Sequence, residues 1–188
     1  MYSNLPAFVL GFHGCERAIG ENLVANPESF MKPSSNSYDW LGHGCYFWEN
    51  SDLRAIHWSE EMAAHGKIKE PFVIGAIIDL GQCLNLVDPQ HADILKGCYD
   101  LLVEVVKKTG EIMPYNKNGS NSLDCAVINL IDQVTDFKQQ PRYDTVRAPF
   151  LEGEHLYPGA CFRDDTHMQI CVRNNNCIKG LFHVRKMI

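Results

Sequence analysis

Apolar residues in this chain fall into short runs and helical stripes, separated by polar, turn-forming segments. Ala7 to Phe12 reads as a short strand running into Gly11-Phe12-His13-Gly14. Glu16 to Ala25 carries Ala18, Ile19 and Leu23 at helical spacing and stops at Asn26-Pro27, because the residue before a proline avoids the α region. A Pro-, Ser- and Asn-rich loop from Met31 to Tyr38 leads into Asp39-Trp40-Leu41-Gly42-His43-Gly44, and Cys45 to Trp48 reads as a strand. Ser51 suits the N-cap of a helix over Asp52 to His65, closed by Gly66.

Phe72 to Leu80 is apolar on both faces and fits a strand inside a sheet. The best-specified helix comes next. Asp88 caps it, Pro89 opens it, Leu95, Cys98, Leu102 and Val105 form its stripe, and Lys107-Lys108-Thr109-Gly110 ends it. After a polar loop, Met113 to Ser120, a further helix spans Ser122 to Thr135. Strands at His167 to Arg173 and Cys177 to Val184 close the chain across Asn174-Asn175-Asn176. Helices and strands mix without strict alternation, which makes the class α+β. With 188 residues and no linker or repeat, residues 1–188 read as a single domain.

Composition changes this picture in three ways. The net charge of −6 excludes a broadly basic nucleic-acid coat but not a local basic patch. Met1 to Pro6 has neither a basic nor an apolar region, and the longest apolar run, Pro71 to Leu80, is far below the ~20 residues of a membrane span. The expectation is a cytoplasmic protein without a membrane partner. The eight cysteines sit mostly inside apolar segments, so they read as buried thiols rather than a disulfide framework, and their spacing gives no metal site.

Three segments break their local pattern with polar or aromatic groups. In Gly11-Phe12-His13-Gly14-Cys15, glycine admits a ligand to the backbone, where its N–H and C=O suit a planar carboxamide, and histidine can bond a hydroxyl. In Gly44-Cys45-Tyr46-Phe47-Trp48 and the following helix, Tyr46 and Trp58 can flank a flat heterocycle, with Ser51 beside it. In His167-Met168-Gln169-Ile170-Cys171-Val172-Arg173, alternation puts His167, Gln169, Cys171 and Arg173 on one face and the apolar residues on the other. The polar face meets solvent, a ligand or hydrogen-bond partners.

Taken in order, these segments resemble the diphtheria-toxin and PARP-like branch of the ADP-ribosyltransferase superfamily, which carries a His-Tyr-Glu triad. The chain is also similar, over Tyr38 to Glu49, Leu123 to Ile128, Phe150 to Gly153 and His167 to Asn174, to a family of uncharacterised bacterial proteins. The resemblance implies a split mixed or antiparallel sheet flanked by helices, with NAD+ as co-substrate and no metal. His13 would bond a ribose hydroxyl, Gly14 would hold the nicotinamide carboxamide, and Tyr46 would stack on its ring. Trp58 would be the second stacking aromatic, Ser51 the amide-binding serine, and Tyr38 or Trp40 part of a loop over the donor site.

Gln169 stands where the branch has its glutamate, so this position carries no charge and no base. His167 would read or activate the acceptor, with Glu152, Glu154 and Asp144 as reserve carboxylates. The implied activity is mono-ADP-ribosyl transfer to a macromolecule, either protein or RNA/DNA. The implied setting is that of a toxin with an antitoxin partner, or phage defence. A catalytically impaired module of the same fold that binds NAD, ADP-ribose or a partner protein is the alternative. RNA 2′-phosphotransferases share the fold but need Arg and His where this chain has Cys15 and Tyr46. A Cys–His hydrolase on Cys15 or Cys45 is a further option.

Overall fold

The structure, a computed structural model, describes residues 8–26, 28–117 and 119–185. Met1 to Ala7, which include the leader reading and the first residue of the expected first strand, and Pro27, at the expected helix stop, lie outside the described residues. A mixed sheet forms the centre. Its strands are β1 (Phe8–Glu16), β2 (Cys45–Glu49), β3 (Pro71–Asp79), β4 (Cys83–Asn85), β7 (Thr145–Phe150), β8 (His167–Val172) and β9 (Ile178–His183), while β5 (Asn116–Lys117) and β6 (Ser120–Asn121) make a separate short hairpin. The order across the 7-stranded sheet is β4-β7-β8-β2-β1-β3-β9. Its neighbours are antiparallel except for the parallel pair β4 and β7. The helices are α1 (Arg17–Ala25), α2 (Asp52–Ala64), α3 (Pro89–Thr109) and α4 (Ser122–Phe137), and the protein is mixed α+β. Among the described residues, no helix is long and apolar enough to cross a membrane.

Helix ends follow the local chemistry. The Ser51 hydroxyl accepts from the Arg54 N–H at the start of α2. Asp88 accepts from the Gln90 N–H at the start of α3, which ends at Gly110 in the left-handed region with φ 75°. Two departures from the sequence expectation shape the site. β1 does not stop at Phe12 but continues through His13, Gly14 and Cys15 to Glu16, because β3 pairs with it along its whole length. Residues 142–159, where no strand is read from the sequence, contain β7. Its backbone is claimed by β8 on one side and β4 on the other, and a short Arg-Ala-Pro run hides that in the sequence.

Alternation along β2 and β8 separates two cores. Cys45, Phe47, Ile170 and Val172 face α1 and β9 with Ile74 and Ile78. Tyr46 and Cys171 face the other way, toward Leu41, Ile128, Ile131 and the α3–α4 hairpin. The face read from sequence as polar, meeting solvent, a ligand or hydrogen-bond partners, therefore also contributes to a second core. Cys171 is fully buried there and His167 nearly so. Phe47 and Leu41 are also fully buried, and side chains of that size each stabilise the fold by about 1.5–3 kcal/mol.

Candidate functional site

The sheet opens between β1 and β2. Their ladder runs from the Asn50 N–H bonded to the Leu10 carbonyl (2.9 Å) to the Phe12–Trp48 pair. In that register Gly14 would next oppose Tyr46, and that pair does not form. The imidazole of His13 occupies the Tyr46 carbonyl instead, at 2.8 Å from Nδ1. Since a carbonyl only accepts, Nδ1 carries the proton. Burial holds the His13 pKa below its ordinary value, so the ring is neutral near pH 7 and Nε2 is an acceptor. Strand alternation turns the N–H and C=O of Leu10, Phe12 and Gly14 toward β2. Beyond Phe12 the Gly14 pair has no ladder partner on that side.

A cleft of about 700 Å³ occupies this opening. His13 and Gly14 reach it from β1, Tyr46 and Trp48 from β2, Gln169 from β8 and Trp58 from α2. Tyr38 and Trp40 line it from the preceding loop, and Arg54, Phe150 and Glu152 also contribute. α2 lies so close that a Cβ on Gly14 would sit 2.8 Å from the Ala55 carbonyl oxygen and 2.9 Å from the Trp58 ring. Only glycine fits there.

Each lining group is oriented by a partner. The Tyr46 hydroxyl donates to the Gly42 carbonyl (2.8 Å) and accepts from the Leu41 N–H (2.9 Å). Burial also pushes its pKa well up, so Tyr46 offers a ring and not an ionisable hydroxyl. Gln169 Oε1 accepts the indole N–H of Trp40 at 2.5 Å. Indole is donor-only, which fixes the amide: the oxygen is committed to Trp40, and the NH2 is the group left for a ligand. Trp48 and Trp58 pack at 5.7 Å between centroids, and Trp40 and Phe150 at 4.6 Å. These pairs give the cleft aromatic walls.

His167 and Ser51 lie elsewhere. The His167 side chain is 3% exposed and wedged between Trp48 and Phe150, with Nδ1 donating to the Asp165 carbonyl (2.7 Å). Burial lowers its pKa, and it has no open path to an acceptor. The Ser51 hydroxyl accepts from the Arg54 N–H as the cap of α2, and Ser51 does not line the cleft. Of the reserve carboxylates, Glu152 lines the cleft. Asp144 instead binds the Gln82 N–H and the Asn174 amide, and Glu154 borders a separate cavity with His155 and Tyr157.

Arg54 and Trp48 were not singled out by sequence reasoning. Arg54 bonds Glu152 (2.7 Å) and Asp165 (3.1 Å), and its Nε, like Trp48 Nε1 and His167 Nε2, is buried without a hydrogen-bond partner. The available signal was spacing: Arg54 precedes Trp58 by one helical turn and so shares its face. Cys15 and Cys45 have thiol pKa values pushed up to about 11 by burial. Thiols held protonated in this way are poor nucleophiles, which counts against a Cys–His hydrolase.

No family model matches this chain, and no solved structure matches it. Among curated proteins, an uncharacterised protein of Methanocaldococcus jannaschii is 24% identical over 188 residues, spanning 90% of this chain and 84% of the relative.

Proposed function

We propose that this protein is an NAD-dependent mono-ADP-ribosyltransferase of the split-sheet, PARP-like type, acting on a macromolecular acceptor. One observation carries the reading. His13, Tyr46 and Gln169, far apart in sequence, converge on one cleft where β1 and β2 part. In that cleft the free N–H and C=O of Gly14 suit a carboxamide, the Tyr46 and Trp58 rings suit a pyridinium, and His13 Nε2 accepts from a ribose hydroxyl. In the transfer, the bond from the anomeric carbon to the nicotinamide nitrogen breaks and nicotinamide leaves with the electron pair. The acceptor nucleophile bonds that carbon and gives up its proton. With His167 buried, Glu152, one of the carboxylates that line the cleft, takes that proton, and Arg54 holds it in position.

The orientation of Gln169 favours a second reading. With its oxygen held by Trp40, Gln169 can donate to a ribose but cannot stabilise positive charge at the anomeric carbon. That suits a protein that binds NAD or ADP-ribose without turning it over. Labelled NAD incubated with folded protein and a cell lysate separates the two. A transferase releases nicotinamide and labels protein or nucleic acid. A binder shows a raised melting temperature with NAD and neither product. The absence of both turnover and a melting shift sinks both readings. The proposed setting, a toxin with an antitoxin or a phage-defence component, predicts growth arrest on expression that is relieved in a Tyr46→Ala variant.

A further inference from the structure

Trp40 fixes the amide of Gln169, and the contacts that fix Trp40 in turn lead out of the cleft to α4. Trp40 belongs to the loop before β2, which also lines the cleft with Asn36, Tyr38 and Asp39. The loop is closed at its ends, where Ser34 and Gly44 pair. Within it the Asp39 carbonyl accepts from the Gly42 N–H at 2.8 Å, which makes residues 39–42 a tight turn. Trp40 and Leu41 are the central residues of that turn, so its placement sets where the indole goes.

Two side chains of α4, Cys125 and Asn129, hold the turn and its approach. They are one helical turn apart and share a face. Asn129 Oδ1 accepts from the His43 N–H at 3.0 Å and from Arg173 Nη2 at 3.3 Å. Both partners are donors only, so the orientation of the amide is fixed, and its Nδ2 donates to Cys125 Sγ at 3.3 Å. The Cys125 thiol donates to the Asn36 carbonyl at 3.4 Å, and burial keeps that thiol protonated by raising its pKa. Positions 36 and 43 are therefore tied together through two neighbouring side chains, with Trp40 between them.

The sheet holds the same turn at different atoms. The Tyr46 hydroxyl bonds Leu41 and Gly42, and the Cys171 thiol donates to the Gly42 carbonyl at 3.6 Å. At His43 the hydrogen-bond partner is Asn129. The fit there is close: a Cβ on Gly42 would lie 2.7 Å from Asn129 Oδ1 and 2.9 Å from Ile128 Cγ2, and Gly42 has φ 76°. Only glycine lets the turn settle onto α4 in this way.

We propose that Asn129 is a positioning residue for the cleft. By holding the turn at His43 it sets the indole of Trp40, and through that indole the direction in which Gln169 presents its NH2. Asn129 is not among the residues that line the cleft, so it acts through Trp40 and Gln169 and not on a ligand. The inference rests on the reading of Gln169 as a ligand group and adds the residue that aims it. A glutamine already held in one rotamer loses less freedom when a ligand binds.

The test compares Asn129→Leu, which keeps the bulk and removes the polar atoms, with Asn129→Asp, which keeps an oxygen for His43 and Arg173. Melting curves verify the fold, and Asn129→Ala replaces Asn129→Leu if the latter does not fold. The first readout needs no ligand: hydrogen exchange of the three indole N–H groups by NMR, assigned with Trp→Phe variants. In Asn129→Leu the Trp40 indole should exchange roughly tenfold faster while Trp48 and Trp58 keep their rates, and Asn129→Asp should restore Trp40. The second readout is titration calorimetry with NAD. Binding should be about three- to tenfold weaker in Asn129→Leu, and Asn129→Leu/Gln169→Ala should bind no more weakly than Gln169→Ala alone. Unchanged Trp40 exchange in folded Asn129→Leu overturns the positioning role, as do additive losses in the double variant, and NAD binding by the native protein then leaves the NAD reading standing. A Trp40 that loosens in Asn129→Leu and recovers in Asn129→Asp, in a protein whose native form binds no NAD, upholds the hold on Trp40 and overturns the NAD reading.

Discussion

Removing the Arg54 side chain tests whether the wall of the cleft is clamped or merely packed. Arg54 is 16% exposed and ties α2 to both ends of the segment between β7 and β8, through Glu152 at one end and Asp165 at the other. That segment has internal bonds of its own, among them Leu156 N–H to the Phe162 carbonyl (3.1 Å) and His155 Nδ1 to the Ala160 carbonyl (2.7 Å). Its tip should stay folded when its base is released. The two carboxylates are 44% and 39% exposed, so in Arg54→Ala they regain water rather than being stranded. Discounted for that exposure, the two pairs are worth about 2 kcal/mol together. Loss of the aliphatic stem adds about 1 kcal/mol, and relief of the unpartnered Nε offsets about as much. The net cost of about 2 kcal/mol corresponds to a melting-temperature drop of roughly 4–8 °C in a domain of this size. Thermal and urea unfolding measure the loss, and limited proteolysis should show new cuts next to Glu152 and Asp165. A double-mutant cycle of Arg54→Ala with Glu152→Gln should give a coupling of about 1 kcal/mol. Zero coupling, with an unchanged cleavage pattern, refutes the clamp.

Further outcomes follow from the same geometry. Gln169→Glu keeps the Trp40 bond on one oxygen and presents the other to the cleft, so nicotinamide release from NAD should rise about 10²-fold at a stability cost of about 1 kcal/mol; bound NAD with an unchanged rate counts against the assigned role. Burial lowers the pKa of both His13 and His167, so the unfolded chain binds more protons below about pH 6.5. Stability should be flat above that value and fall by up to about 1.4 kcal/mol per pH unit per histidine below it, with urea titrations across the range as the check. Gly44→Ala puts a Cβ 2.5 Å from the Cys171 sulfur and 2.6 Å from the Val172 carbonyl oxygen. Strand backbone cannot yield there, so a loss of about 2–3 kcal/mol is expected in equilibrium unfolding.

How far the sequence was legible depended on whether local pattern or distant pairing decided each element. α3 was readable to the residue because Asp88, Pro89 and Gly110 act within one turn of themselves. β7 and the far half of β1 were not, since their conformation is imposed by β8 and β3, which lie far away along the chain. The site divides in the same way. Tyr46 and Trp58, which line the cleft, could be singled out because aromatic residues near a strand–helix junction stand out locally. The burial of His167 was missed because period-two alternation assigns a face and does not say whether Trp48 and Phe150 will cover it. Ser51 carried two readings from the sequence, as the cap of α2 and as a ligand group, and the helix claimed its hydroxyl. Arg54 needed knowledge of Glu152 and Asp165, which no local pattern in a helix contains.

His13 joins the fold to the chemistry in a way that makes the two hard to separate by deletion. Its Nδ1–H takes the Tyr46 carbonyl, which the extended ladder would have given to Gly14. The same ring that would meet a ribose through Nε2 thereby keeps the strands apart and the Gly14 backbone open. Replacing His13 with alanine strands the Tyr46 carbonyl and lets β1 and β2 close toward each other, so lost binding in that variant says nothing about a direct contact. Replacement with asparagine is the informative change. Its side-chain amide carries the same kind of N–H donor for the Tyr46 carbonyl but has no ring nitrogen to place where Nε2 stands. A His13→Asn protein that melts like the native one yet binds NAD at least tenfold more weakly assigns the contact to Nε2. One that melts normally and binds normally leaves His13 as the wedge that holds the sheet open, with recognition resting on Gly14 and the aromatic walls.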